Sequence, residues 1–204
     1  MKATRRRFLP LLSIALLGTA TLWWGSDGFT AFTAEAARRQ SVLAEPRPLP
    51  MVGLEDQDGR RFTLGDYAGR LLAIEFIYTQ CNSICYSLGT TFRQLHDSVP
   101  TAALGRDLAL LSISFDPQHD GPEQLREYGQ RFGADGANWR IARPLAAAEL
   151  PALLAAFGVV AIPDRLGGFE HNAAIHLVGR DNRLRQISDI DAAAPFVAAI
   201  REQL

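Results

Sequence analysis

The stretch Leu71-Leu72-Ala73-Ile74-Glu75-Phe76-Ile77-Tyr78 is a mostly apolar run of strand length. That is the pattern of a central strand buried on both faces. Leu108 to Phe115 is a second such run. Between them, Ile84 to Val99 places Leu88, Phe92, Leu95 and Val99 at helical spacing. Asp116-Pro117 ends the second strand, and Gly121-Pro122 opens a helix through Phe132. Trp139 to Ala142 reads as a short strand and Ala146 to Phe157 as an Ala/Leu-rich helix. Ala173 to Val178 is a strand that turns at Gly179-Arg180-Asp181-Asn182 into its partner, Leu184 to Ile190. Asp191 is expected to cap a final helix to Leu204. Upstream, Asp58-Gly59 signals a hairpin turn.

Strands and helices that alternate and close on a hairpin and a helix specify an α/β chain with a thioredoxin-like plan, a central mixed sheet flanked by helices. The sequence has no internal repeat. Its 204 residues, 48% hydrophobic and 21% charged, suit one domain with a short extra segment and exclude a disordered chain. Residues 49–204 are expected to form the domain. Residues 34–48, ending in Glu45-Pro46-Arg47-Pro48, read as a tether. Without the four basic residues and Asp27 of positions 1–33, the remainder holds 17 basic and 21 acidic residues. No basic stripe is present, so nucleic acid is not an expected partner.

Residues 1–33 have the layout of an export segment. Lys2 and Arg5-Arg6-Arg7 precede an apolar run from Leu11 to Trp24. Thr4-Arg5-Arg6-Arg7-Phe8-Leu9 also resembles a twin-arginine signal. Trp23 and Trp24 stand where interfacial aromatics belong. The segment is read as a signal peptide, with Ala34-Glu35-Ala36 as a candidate cleavage site, or as an uncleaved membrane anchor. No cysteine adjoins it, which excludes a lipid-modified cysteine. Either way the domain is expected on the periplasmic side of a bacterial inner membrane.

The chemistry concentrates at Tyr78-Thr79-Gln80-Cys81-Asn82-Ser83-Ile84-Cys85, between the first central strand and the helix after it. Ligands gather at the carboxyl ends of such strands, and a helix start lowers a thiol's pKa. The chain's two cysteines form one local site rather than a disulfide framework. Three readings compete: a structural disulfide, a redox dithiol, and a thiolate metal site. A disulfide here would close a tiny loop and constrain little chain. For a metal, two thiolates favour copper(I), because iron–sulfur clusters and structural zinc usually need four ligands. Four histidines are available. His96 lies about 16 Å along the helix from Cys85 at 1.5 Å per residue, too far to share a metal. His119 lies in a turn. His171 and His176 are five apart, so on one strand they would face opposite sides. His176 reads as half-buried structure, and His171, after Gly167-Gly168, as a mobile candidate ligand.

With these residues placed, the chain resembles the Sco/SenC family of copper-binding, thioredoxin-like proteins over roughly residues 50–204. The pattern is Tyr78-Thr79-Gln80-Cys81 through Cys85, then Asp116-Pro117-Gln118-His119-Asp120, then His171 leading to Leu177-Val178-Gly179-Arg180-Asp181. The resemblance implies copper ligands at Cys81, Cys85 and His171 and a loop acid at Asp116. It implies copper delivery to the dinuclear copper centre of a cytochrome c oxidase subunit, or maturation of that centre or of a related copper enzyme. The alternatives are a thiol–disulfide oxidoreductase using Cys81 and Cys85 and, third, a peroxiredoxin-type enzyme. Two departures stand out: Asn82 and Tyr86 follow the cysteines where family members often have proline, and His119 stands where an acidic or basic residue is common.

Overall fold

A computed structural model describes residues 1–204 apart from Met1, Asp27, Thr30, Asn82, Ser83, Leu166 and Leu204, with backbone alone for residues 2–9, Ile84, Cys85 and Ala193. The chain divides into two units, residues 1–44 and 45–204. In the first, helix α1 spans Lys2–Gly25 and exposes Leu11, Leu12, Ile14, Leu16, Leu17 and Leu22. Ser26 ends it: the hydroxyl donates to the Leu22 carbonyl at 2.6 Å and accepts from Phe29 N–H at 3.0 Å. Thr33 then accepts from Ala36 N–H at 3.0 Å and opens helix α2, Ala34–Ala44. Most of the segment read as a tether is therefore helical. Its alanines favour a helix, and Glu35 pairs with Arg38 and Arg39 at three- and four-residue spacing, at 2.5 and 2.9 Å. Among the described residues no helix is long and apolar enough to cross a membrane.

In the second unit, β1 (Arg47–Pro48) is followed by the hairpin β2 (Gly53–Asp56) and β3 (Arg61–Thr63). Next come β4 (Leu71–Ile77), α3 (Ile84–Ser98), β5 (Leu108–Ser114), α4 (Pro122–Phe132) and β6 (Trp139–Pro144). The chain ends with α5 (Leu150–Phe157), β7 (Ala161–Pro163), β8 (Phe169–His171), β9 (Ile175–Val178), β10 (Arg183–Ser188) and α6 (Ala193–Arg201). Among the described residues eight strands form one sheet in the order β1-β10-β9-β4-β5-β6-β2-β3, while β7 and β8 pair separately. β4, β5 and β6 are parallel, with Leu71 opposite Leu108 and Ile77 opposite Ser114; β9 runs antiparallel to β4. Every residue of β4 and β5 is buried, as their apolar runs require.

Alternation along β4 sends Phe76 to one face, where it meets Phe157 of α5 at 5.1 Å between ring centres. The other face lies under α3, where Phe92 meets Trp139 of β6 at 5.9 Å. The apolar stripe of α3, Leu88, Phe92 and Leu95, is fully buried there. Two helix starts differ from the sequence reading. α6 begins after Ala192, and Asp191 belongs to the 3-10 turn before it, which takes over the entry to the helix. Residues 147–149 form a 3-10 turn before α5, with Pro151 in the first turn of the α-helix, where its missing N–H costs nothing.

Candidate metal centre

β4 delivers its carboxyl end to the site. Beyond Ile77 the chain turns, Cys81 N–H reaching the Tyr78 carbonyl at 3.3 Å. Cys81 is 3% exposed and precedes α3, which starts at Ile84; Cys85 falls in its first turn. The loop-then-helix placement of the two cysteines agrees with their spacing. The Cys85 side chain, and Asn82 and Ser83, lie outside the described residues.

Thr79 is held by the loop after β5. Asp120 is buried and accepts from Thr79 N–H at 2.9 Å, Thr79 Oγ1 at 2.6 Å and Ser114 Oγ at 2.5 Å. The same Ser114 hydroxyl accepts from Asp116 N–H at 3.0 Å. The first and last acids of the Asp116–Asp120 motif are thus tied to the strand end that leads to Cys81. Sequence reasoning gave Asp120 no role, although it closes the motif.

His171 ends β8, opposite Ala161 of β7. Its ring lies 5.1 Å from Phe115 and 6.5 Å from Tyr78, and Phe169 packs 5.2 Å from each of those two rings. The strand is fixed from both ends. Asn172 accepts from Val160 N–H at 2.7 Å and donates to the Gly158 carbonyl at 3.0 Å. Gly168 sits where a Cβ would lie 2.7 Å from Asp164 Oδ2 and 3.1 Å from Tyr78 Oη, so a larger residue there would push the Asp164 carboxyl aside, and Gly167 takes a positive φ of 89°. The Gly167-Gly168 pair is therefore part of a tight hairpin turn. Val160 and Ile162 are exposed beside His171, in an open groove of about 300 Å³ that Glu170 and Asn172 complete.

His176 belongs to a different strand from His171, so the single-strand parity argument does not apply. The strand expected from Ala173 starts at Ile175, because Asn172 ends the hairpin just before it. His176 is fully rather than half buried, edge-on to Phe76 and Phe157 at 5.5 and 5.3 Å, with Nδ1 3.3 Å from the Ile74 carbonyl. His96 lies toward the far end of α3, 3.2 Å from Asp97. His119 places Nδ1 2.9 Å from both oxygens of Asp116. That hydrogen bond, with the carboxylate charge behind it, raises the imidazole's pKa.

The structure thus sets His171 against the rings of Tyr78 and Phe115, with Cys81 three residues past Tyr78 and Asp116 and His119 on the loop that follows Phe115. Among the described residues no three His, Cys, Asp or Glu side chains form a group able to hold a metal ion; the Cys85 thiol is not among them.

Glu75, the lone charge in the β4 run, is fully buried, and burial pushes its pKa up to about 8. Trp139 Nε1–H donates to Ser112 Oγ at 2.9 Å, and Ser112 in turn donates to Glu75 Oε1 at 2.5 Å.

Known proteins share the fold. A SCO1 protein homolog of Bacillus subtilis is 25% identical over 132 residues, 64% of this chain and 67% of that protein. A SCO1/SenC family lipoprotein of Bacillus anthracis superposes with a TM-score of 0.69 at 22% identity, over 78% of this chain and 96% of that one. ScoI of Bradyrhizobium japonicum, solved with copper bound, gives 0.64 at 21% identity, over 77% and 99%. These likenesses carry the thioredoxin-like fold. Residues 52–204, the greater part of the chain, match the SCO1/SenC family model, and the chain belongs to that family.

Proposed function

We propose that the chain is an extracytoplasmic metallochaperone that binds copper through Cys81, Cys85 and His171 and passes it to a copper-accepting protein. One observation carries the reading: buried Cys81 lies three residues past Tyr78, with its N–H on the Tyr78 carbonyl, and the Tyr78 ring meets His171 from a separate hairpin. A buried cysteine and an imidazole, both tied to Tyr78, fit copper. Thiolates select Cu(I), imidazole suits either oxidation state, and aromatic walls limit water access. The copper-bound ScoI structure supports the same choice of metal.

Two thiolates and one neutral imidazole give Cu(I) a shell of few ligands, open to an incoming thiolate from the acceptor. The acceptor is a cytochrome c oxidase subunit that holds a dinuclear copper centre, or a related copper enzyme. Oxidation of Cys81 and Cys85 to a disulfide removes both sulfur ligands, so the redox state of the pair gates the cargo. The basic and apolar pattern of residues 1–33 supports export, and the lipoprotein relative supports a site of action at the outer side of a membrane. The second reading, a thiol–disulfide oxidoreductase, draws on the loop-then-helix placement of the cysteines. It has no need of His171.

Competition titration of the reduced protein with Cu(I) tests the proposal. One tightly bound copper per chain, lost in Cys81→Ser and weakened in His171→Ala, is expected. No copper binding, with disulfide exchange intact in His171→Ala, would favour the reductase instead.

A further inference from the structure

The Asp116–His119 pair lies outside the proposed ligand set, yet it is firmly built. Both Asp116 oxygens face His119 Nδ1 at 2.9 Å, which puts the proton of the neutral ring on Nδ1 and leaves Nε2 to accept a metal. A carboxylate behind one ring nitrogen is how proteins orient ligating histidines. Asp116 is 8% exposed, whereas the His119 side chain is 64% exposed. The pair is anchored at its root and open at its tip.

The root is tied to the copper site from two directions. His119 N–H and Asp120 N–H both reach the Asp116 carbonyl, at 3.2 and 2.9 Å. Asp120, next to His119, holds Thr79, two residues before Cys81. Phe115, next to Asp116, packs against His171 at 5.1 Å. An exposed, oriented imidazole therefore stands on the loop that holds Thr79, two residues before a cysteine that is itself 3% exposed. A bulky copper donor reaches the imidazole more readily than the thiol.

We propose that His119 is a relay ligand, whose Nε2 takes Cu(I) from a donor complex of soft ligands and passes it to the Cys81 thiolate. The proposal rests on the copper reading above. The step is ligand exchange with no change of oxidation state. The donor–copper bond breaks as the Nε2–copper bond forms, and that bond breaks as Cys81 Sγ–copper forms, the thiol proton leaving to solvent. A relay lies on the loading and the release path alike. Removing it slows both by one factor and leaves the equilibrium affinity unchanged.

Stopped-flow loading from a chromophoric Cu(I) chelate, release to an excess of a second chelator, and equilibrium competition together test this. His119→Gln is expected to slow loading and release by about tenfold or more, with affinity within about twofold of the parent. His119→Met, which offers a soft thioether, is expected to restore most of the rate, and Asp116→Asn to fall between. Unchanged loading in a folded His119→Gln protein overturns the relay. A tenfold loss of affinity with no change in loading rate makes His119 a resident ligand and also overturns it. Failure of the parent protein to bind Cu(I) removes the copper reading itself, a result distinct from either.

Discussion

Asp120 holds Thr79 by both its backbone N–H and its hydroxyl, at 2.9 and 2.6 Å, with no solvent between the carboxylate and the strand end. Such charge-assisted bonds in a buried setting are strong, and losing them exposes unpaired donors. Asp120→Ala is expected to destabilise the protein by about 3 kcal/mol. Thr79→Val, which keeps the backbone bond, is expected to cost about 1 kcal/mol. Because Thr79 leads to Cys81, Asp120→Ala should also weaken copper binding more than Thr79→Val does. Denaturant midpoints and Cu(I) competition check both orders; equal effects of the two variants would refute the clamp.

His171 and His176 separate ligand from scaffold. His171 is half-buried beside the Cys81 segment, and His176 is locked between Phe76 and Phe157. His171→Ala is expected to weaken Cu(I) affinity by about tenfold or more and to change the Cu(II) spectrum. His176→Phe should lower stability by about 0.5–3 kcal/mol and leave the spectrum nearly as it was. Melting curves and Cu(II) absorption distinguish the two; the reverse pattern would make His176 the ligand.

The sequence shows the central strands because burial on both faces leaves one signal, an unbroken apolar run, and β4 and β5 both carry it. It shows Cys81 because reactive groups follow such a strand. It does not show the β7–β8 hairpin, whose strands are three residues each, with no buried residue, too short for alternation to register. That is why the sequence reads His171 as the approach to the strand of His176 and not as part of a strand of its own. The Thr79–Asp120 clamp spans 41 positions. Only the recurrence of an acid at the close of the Asp116 loop hints at it. The helix of residues 34–44 was hidden by the prolines that follow it, which gave the whole segment the look of a linker.

The redox gate predicts an all-or-none dependence on the thiols. With Cys81 in the loop and Cys85 in the first helical turn, an oxidised pair has no thiolate to offer. Metal affinity and redox state are then one linked equilibrium. Thiol labelling alongside copper per chain should show copper lost in step with the labelled thiols on oxidation and regained on reduction. Copper retained by fully oxidised protein would refute the gate.

Glu75 predicts a slope of stability against pH that belongs to one residue. Its ordinary pKa of 4.5 rises to about 8 in the folded protein, because burial disfavours the charged form more than Ser112's hydrogen bond favours it. Between those values the folded chain keeps a proton that the unfolded chain has released. The contribution is therefore fully present below the unfolded pKa and fades as pH rises through the folded one, at up to about 1.4 kcal/mol per pH unit. Exposed His119, also raised, acts in the same direction, while Asp135 and Asp181, held low, act only on acidification. The comparison of parent with Glu75→Gln isolates the buried group, since glutamine keeps the shape and cannot ionise. Denaturation across pH 5 to 8 should show the parent losing stability faster than the variant, with the gap widest near pH 8. Parallel curves would mean that Glu75 enters the folded state already ionised, and that the Trp139–Ser112 chain stabilises a carboxylate rather than a neutral acid.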